Sequence, residues 1–374
     1  MVTLRDVNEV PHDDTWGGTL TRNSGAMPTR RPTMKDVAER AGVAVSTVSY
    51  VVNDSGPVAA DRRARVLEAV RALGYLPNES ARNLKRHSVA TVGLVVPDLV
   101  NQYFALIAEG VEQAASEKDV LVVFCTPEAT GGGESWNSRL LRSQRLDGLI
   151  YLSGSETRME ALVELTRVGP VVLVDEKLPG FNLPSVVSQN RRGAREIAAH
   201  LTSLGHERLA ILGGPLELWT AEQRLSGYRE AIVAAGLDPD GIPVLAGDYR
   251  MSSGEQLAAE ILSRPADDRP TALICANDLM AIGALSYCRR AGLRVPEDVS
   301  VVGFDDLPFA SLLTPALTTV RQPAREMGIQ ATKLLLGMID GADPAPPPPS
   351  TVSLKIREST SPSPSTDERK CINA

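Results

Sequence analysis

The sequence predicts an all-α helix-turn-helix headpiece followed by an α/β core of two doubly wound lobes. Three observations lead there. Between Thr33 and Leu73 apolar residues recur at helical spacing around glycines, and from about Val89 onward short apolar runs alternate with longer helical segments. The charge also divides: from Pro28 to Ala90 eleven Lys/Arg stand against six Asp/Glu, while the 374-residue chain as a whole carries −7. A basic head on an acidic body suits a phosphate-backbone ligand for the head alone.

The headpiece can be read helix by helix. Met34, Val37, Ala38 and Ala41 fall at i, i+3, i+4 and i+7, one apolar stripe opposite Lys35, Asp36, Glu39 and Arg40. Thr33 can cap this helix, and Gly42 can end it by taking the positive φ of a sharp turn. Val48, Val51 and Val52 resume the pattern on a second helix, leaving Ser46, Ser49, Tyr50 and Asn53 free to face a groove. A third stripe, Val66, Ala69, Val70 and Leu73, closes a small core before Gly74. This third helix opens on Val58-Ala59-Ala60-Asp61, where Ala caps worse than Ser or Thr by about 1 kcal/mol; Asp61 compensates in part through the helix dipole. Next comes Pro77-Asn78-Glu79-Ser80-Ala81-Arg82-Asn83-Leu84-Lys85, too short to hold a helix alone in water, since helices below about 12 residues are marginal. It is expected to order only when bound.

Thr33-Met34-Lys35-Asp36-Val37-Ala38, Ala41-Gly42-Val43, Thr47-Val48-Ser49, Val52-Asn53 and Gly74-Tyr75-x-Pro77-Asn78-x-x-Ala81-Arg82-x-Leu84 together resemble the headpiece of the lactose and galactose repressor (LacI/GalR) family. The resemblance implies a second helix in the major groove, with base contacts from Val45, Ser46 and Tyr50 and a DNA-facing surface that includes Thr33, Thr47 and Asn53. Val45 can meet a thymine methyl and Ser46 can bond several base edges, but none of the three has a bidentate code, so the operator sequence stays open. The resemblance also implies hinge helices paired across a dimer, with Leu84 wedged into the minor groove, Ala81 beside it, and Arg82 and Lys85 near phosphates.

In the core the apolar runs are Val89 to Val96, Val120 to Cys125, Gly148 to Leu152, Val171 to Val174, Val186 to Val187, Leu209 to Leu212, Ala272 to Cys275 and Val299 to Gly303, with a last strand expected at Thr351 to Ile356 after Pro346-Pro347-Pro348-Pro349. Apolar runs separated by helices imply parallel strands buried on both faces and hence βαβ units. The length exceeds one ordinary domain, so two lobes are expected, with a ligand cleft at the carboxyl ends of the strands. The segments just past those ends include Asp98 to Phe104, Gly213-Gly214-Pro215 followed by Thr220 and Arg224, Asn277-Asp278 and Asp305-Asp306.

The family resemblance continues through Gly205-His206, Arg224-x-x-Gly227, Gly292-Leu293-x-Val295-Pro296-x-Asp298-Val299-Ser300-Val301-Val302-Gly303-Phe304-Asp305-Asp306 and Leu317-Thr318-Thr319-Val320-x-Gln322-Pro323, and spans roughly 32–358. It implies a periplasmic-binding-protein-like effector core with ligand contacts at Tyr103, Phe104, Arg224, Tyr249, Asn277 and Asp305. Arg, Asn and Asp can pair with vicinal hydroxyls, and the aromatic rings offer a face to a sugar. Two departures narrow the ligand. Ser188-Gln189-Asn190 stands at the crossover where many relatives carry Asp, and Leu218-Trp219 replaces the Arg of purine-binding members, which argues against a purine and suits Trp219 to stacking on a sugar. Ser188, Leu218 and Trp219 therefore join the expected effector set. Duller roles compete: Asn277 and Asp278 can simply cap a helix, Arg224 can pair with an acid, and Asp305 can satisfy loop amides.

The expected organisation is a disordered extension over 1–32, the headpiece over 33–77, the hinge helix over 78–88, the core over 89–358 and a disordered tail over 359–374. The amino-terminal lobe takes 89–188 with 320–340, and the carboxy-terminal lobe 189–319 with 350–358. No apolar run reaches the ~18 residues of a membrane span, and the first 30 residues lack the apolar centre of a signal peptide, with Met27 a second possible start. The four cysteines, Cys125, Cys275, Cys288 and Cys371, are dispersed, so a cytoplasmic protein with reduced thiols and neither metal nor cofactor is expected. Gly131-Gly132-Gly133 lacks a P-loop ending, no Gly-x-Ser-x-Gly occurs, and His206 suits packing better than catalysis. The reading is therefore a transcription regulator, a repressor, that binds double-stranded operator DNA as a homodimer or an assembly of such dimers under control of a small-molecule effector, a sugar or derivative. A solute-binding protein for transport is the alternative, and it would have no use for 33–86.

Overall fold

The computed structural model describes residues 32–53, 56–75, 90–125, 145–154, 159–178, 180–181, 183–265 and 267–364, with Arg139 and Arg142 described singly. The chain divides into two compact units, Met1–Ser88 and Val89–Ala374.

The first unit packs α1 (Met34–Ala41), α2 (Val45–Asn53) and α3 (Ala60–Leu73) around one core. Val37, Ala38, Ala41, Val48, Val51, Val66 and Ala69 are buried there, the stripes that the spacing selects, and Tyr75 closes the set. Thr33 starts α1 with a capping box: its hydroxyl oxygen accepts from Asp36 N at 3.4 Å while its own N–H donates to Asp36 Oδ2 at 2.6 Å. Gly42 and Gly74 end α1 and α3 in the left-handed region, both at φ 61°. Ala59 gives α3 no side-chain cap, and Asp61 stands in its first turn.

The second unit holds two parallel sheets. In the first lobe β1 (Thr91–Val95), β2 (Leu121–Cys125), β3 (Gly148–Leu152), β4 (Val171–Val174) and β5 (Ser185–Val186) order as β2-β1-β3-β4-β5. Helices α4 (Gln102–Ser116) and α5 (Met159–Val168) belong to this half of the chain. The second lobe orders β7-β6-β8-β9 from β6 (Leu209–Gly213), β7 (Val244–Ala246), β8 (Ala272–Cys275) and β9 (Ser300–Val302). Its helices are α6 (Asn190–Ser203), α7 (Trp219–Ala234), α8 (Met251–Leu262) and α9 (Asp278–Arg290). All strand pairs within both sheets are parallel. Strand β7 is absent from the expected runs because Val-Leu-Ala ends on an exposed residue and is only partly buried elsewhere.

The chain then returns. Strand β10 (Thr319–Arg321) puts Val320 into the second lobe's core, whereas α10 (Ala324–Ile339) packs Met327, Ala331 and Leu335 into the first. The last strand is β11 (Ser353–Lys355), shorter than expected and antiparallel to β10. Helices α4 and α10 cross so closely that a Cβ at Gly110 would strike the Arg325 carbonyl and one at Gly328 the Ile107 carbonyl, which requires glycine at both points.

The expectation of a disordered tail from Ser359 needs correction over 359–364. Val301 N–H donates to Ser359 O at 2.9 Å, and the buried Ser359 hydroxyl donates to Val301 O at 2.6 Å while accepting from Thr318 N at 2.8 Å. His206 Nε2 meets Ser361 O at 2.9 Å and its Nδ1 meets Thr271 Oγ1 at 2.9 Å. Strand β9 lies at the end of its sheet, and this segment supplies partners to its backbone groups. The expectations for 1–31, the hinge at 78–88, Gly131-Gly132-Gly133, Cys371 and the remainder of the tail lie outside the described residues. Cys125, Cys275 and Cys288 are buried free thiols.

Candidate functional site

In the headpiece the apolar stripe of α2 faces inward, so its other side chains face out. Val45 is 46% exposed, Tyr50 49%, and Ser46 is also exposed. A Cβ at Gly56 would stand 3.1 Å from the Tyr50 ring, so the ring lies against that turn and is not free on all sides. Thr47 is half-buried in the first turn of α2. Thr33 is committed to capping: besides its backbone bond, its hydroxyl donates to Asp36 Oδ2 at 2.6 Å. The Asn53 side chain and Ala81, Arg82, Leu84 and Lys85 lie outside the described residues.

The second unit carries a cleft of about 120 Å³, walled by residues of both its lobes. From the first lobe, Asn101 caps α4 by accepting from Tyr103 N at 3.1 Å, which fixes the two aromatic residues of that first turn. Tyr103 is buried and donates its hydroxyl to Asp175 Oδ1 at 2.9 Å; the Phe104 ring sits 5.7 Å from it at 57°. From the second lobe, α7 contributes Arg224 and the loop before α8 contributes Tyr249. Gly214 makes room for the Tyr249 ring, which any Cβ there would strike.

Arg224 is only 4% exposed and every part of it is engaged. Its Nε donates to Asn190 Oδ1 at 2.8 Å, its Nη1 to Ala276 O at 2.6 Å, and its Nη2 stands 4.0 Å from Asp305 Oδ1. The guanidinium carbon lies 4.0 Å from the Phe304 ring centroid and 5.8 Å from that of Tyr249. The hydrogen bonds run on in a ring that closes at the 4.0 Å ion pair of Arg224 with Asp305. Asn190 Nδ2 donates to Ser188 Oγ at 3.1 Å, Ser188 donates to Gln322, and Gln322 Nε2 donates to Asp305 Oδ1 at 2.8 Å, back beside Arg224. Asn277 has two jobs: its Oδ1 caps α9 by accepting from Met280 N at 2.9 Å, and its Nδ2 donates to Tyr249 O at 3.0 Å. The dull capping role and the position on the cleft wall are both real.

Three of the five described non-glycine residues at positive φ are on this wall: Asp175 at 71°, Tyr249 at 66° and Asp305 at 117°. Such conformations cost of order 1–3 kcal/mol each and concentrate where function requires them.

Buried acids dominate the electrostatics. Burial, aided by Asp175, pushes the Glu176 carboxyl up to about 8. Burial raises Asp305 to about 7 against the pull of Arg224, and raises Asp175 as well. Burial also lifts the Tyr249 phenol to about 12. Against the cost of its own burial, Tyr249, Asp305 and Asp175 hold Arg224 above its ordinary value, so it stays a cation.

The cleft thus brings together Tyr103, Phe104, Leu218, Arg224, Tyr249, Asn277 and Asp305. Two expected members sit elsewhere. Ser188 is behind the wall, linked to Asp305 through Gln322. Trp219 opens onto a separate outer groove with Arg191, Arg192 and Gln223, and Lys177 Nζ stands 5.6 Å from its ring centroid. The reason lies at the start of α7: a helix turns about 100° per residue, so Trp219 cannot share the direction of Thr220, which lines the cleft. Asp175 and Glu176 line the cleft but are absent from the sequence-derived set. They directly follow β4, so the strand-end rule applied to that strand would have found them. Among the described residues no cluster of His, Cys, Asp or Glu is arranged to hold a metal ion, and no helix is long and apolar enough to cross a membrane.

Comparison with known proteins agrees with this division. Residues 33–78 match the bacterial regulatory proteins of the lacI family, and residues 198–360 match the periplasmic binding protein-like domain. The chain is 35% identical over 310 residues to the HTH-type transcriptional repressor CytR of Escherichia coli (strain K12), covering 83% of this chain and 90% of that one. It is 34% identical over 312 residues to the repressor PurR of Aliivibrio fischeri (strain MJ11), covering 83% and 93%. Among solved structures, the lac repressor dimer bound to operator and the anti-inducer ONPF superposes with a TM-score of 0.76 at 31% identity, covering 89% of this chain and all of that one. The complex of the transcriptional regulator CelR with cellobiose gives 0.65 at 34% identity over 88% of this chain and all of that one.

Proposed function

The chain belongs to the lacI family of bacterial regulatory proteins, and on that premise we propose that a sugar or sugar derivative occupies its cleft and switches the headpiece on operator DNA. The protein is a DNA-binding transcription regulator whose similar relatives are transcriptional repressors. The observation that carries the sugar reading is the bonded ring through Arg224, Asn190, Ser188, Gln322 and Asp305. It fixes Arg224 and Asp305 on a cleft wall that also carries Tyr249 and Phe104, polar groups with aromatic neighbours suited to hydroxyl pairs on a ring. The stacking role expected of Trp219 passes to these two rings. The relative with cellobiose in its complex is a further support.

On DNA, Val45, Ser46 and Tyr50 read base edges, with Thr47 and Asn53 beside them; Thr33 contributes by fixing the start of α1. One headpiece reads one half-site, so the binding form is a homodimer on a pseudo-palindrome. Leu84 is the minor-groove wedge, flanked by Ala81, Arg82 and Lys85. Closing the cleft on its ligand couples to the hinges with a free energy of about 1–3 kcal/mol, or about 5- to 150-fold in DNA affinity.

Mobility shift of the full chain on genomic fragments tests the whole reading. Specific retention of a fragment is expected, with a sugar changing the affinity at least about fivefold. Absence of any specific retention refutes the regulator's proposed DNA mode, and a response to nucleobases alone replaces the sugar. Replacing Leu84→Ala weakens specific binding far more than nonspecific binding, and equal losses would show that no wedge exists.

A further inference from the structure

The acids that line the cleft outnumber the cations that could balance them. Asp175 and Glu176 follow β4 and line the cleft from the first lobe, and Asp305 lines it from the second. Glu176 is 3% exposed and accepts from both Thr220 N, at 3.3 Å, and the Thr220 hydroxyl. Asp175 accepts from the Tyr103 hydroxyl, and Asp305 from Gln322. Arg224 is the buried cation among them, and its Nε and Nη1 are already bonded to Asn190 and Ala276. Asp98 and Asp248 add two carboxylates to the lining, where Arg250 is the added cation. Five acids therefore meet two arginines around the ligand space.

Two further facts make this surplus matter. Asp175 and Asp305 sit at positive φ, so their backbones hold them at the cleft wall. Glu176 and Asp305, raised to about 8 and about 7, resist ionising in this crowd, so the surplus of charge is greatest above about pH 8, where both have lost their protons. A phosphate or carboxylate in the same space would add like charge in a region screened little by water. A hydroxyl adds none, and an ammonium group relieves the surplus.

We infer that the cleft selects its effector by charge: it admits hydroxylated ligands that are uncharged or carry an amine and excludes their phosphorylated and carboxylated forms, with Asp175 and Glu176 as the residues that enforce the choice. The inference rests on the assignment of this cleft as the effector site. It goes beyond that assignment by fixing the ligand's charge class.

Calorimetric titration of the full chain with matched probes, run above about pH 8 so that Glu176 and Asp305 are ionised, tests it. The set is glucose, glucosamine, glucuronate and glucose 6-phosphate, with ribose against ribose 5-phosphate and adenosine against adenosine 5′-monophosphate. Binding is expected only from uncharged or amine-bearing members, each anionic form falling at least about tenfold below its parent, or ~1.4 kcal/mol. An anionic form bound within tenfold of its parent overturns the charge rule and leaves the sugar reading standing. Failure of every probe removes the sugar reading and the charge rule together. In the double variant Asp175→Asn/Glu176→Gln the gap between a parent and its anionic form should narrow to less than about threefold; an unchanged gap in a variant that still binds the parent overturns the assignment to these two residues.

Discussion

The headpiece and the effector cleft solve opposite problems. The headpiece buries its apolar side chains and leaves its proposed DNA-reading face, Val45, Ser46 and Tyr50, exposed. The cleft buries its proposed ligand-binding residues: Arg224, Asn277, Glu176 and Asp305 are each 5% exposed or less. An exposed reader depends on its core only for orientation. A buried polar site is part of the core, so its function and its stability cannot be changed separately.

Arg224→Ala gives the largest expected break in that contrast. It leaves Asp305 buried without its cation and frees Asn190, a loss of about 3–5 kcal/mol. Thermal unfolding should show the core transition falling while the headpiece's DNA binding survives without ligand response. If DNA affinity falls as far as the response, the two units are not separable in this way.

Glu176 supplies the next largest effect, through pH. Its carboxyl is raised from 4.5 to about 8 by burial, so the folded core holds a proton that the unfolded chain releases. The sign follows: this stability is fully present below about pH 4.5 and is lost as pH rises to about 8. The loss should amount to about 1–3 kcal/mol, seen as a falling melting temperature of the core. Glu176→Gln should flatten that slope between pH 5 and 8 while keeping an acceptor for Thr220, whereas an equal slope in the variant would show that Glu176 is not its source.

In the headpiece the corresponding test is an apolar truncation. Val48→Ala removes two buried carbons from the apolar core of the headpiece and should cost about 1–2 kcal/mol. Operator affinity should fall through unfolding of the headpiece, with calorimetric ligand binding by the core unchanged. The smallest change is a gain: Ala59→Ser supplies the cap that α3 lacks and should stabilise the headpiece by about 1 kcal/mol. No change in its unfolding midpoint would mean that Asp61 already serves that end.

The same contrast explains what could be read in advance. The stripes of α1, α2 and α3 are local patterns, and the buried residues of the headpiece are those that the 3.6-residue period selects. The sheets were similarly legible, because parallel strands covered on both faces must be apolar throughout, as β3, β4, β6 and β8 are. Edge features were harder. Strand β7 has too little burial to leave a pattern, and residues 359–364 are held by bonds to β9, His206 and Leu204 that no property of Ser-Thr-Ser-Pro announces.

By itself the sequence determined the headpiece and the alternation of strands and helices, because spacing is a property of the local chain; strand ends pointed to Asp98 to Phe104, Thr220, Arg224, Asn277 and Asp305, and the family resemblance added Tyr249 and Leu218. Only the tertiary structure decided that Trp219 faces an outer groove, that Ser188 acts from behind through Gln322, and that Asp175 and Glu176 give the cleft its acid surplus. The physical reason is that direction and charge balance depend on partners far apart in sequence. Thr220 meets Glu176 across 44 positions and Gln322 meets Ser188 across 134, and no local pattern encodes either pairing.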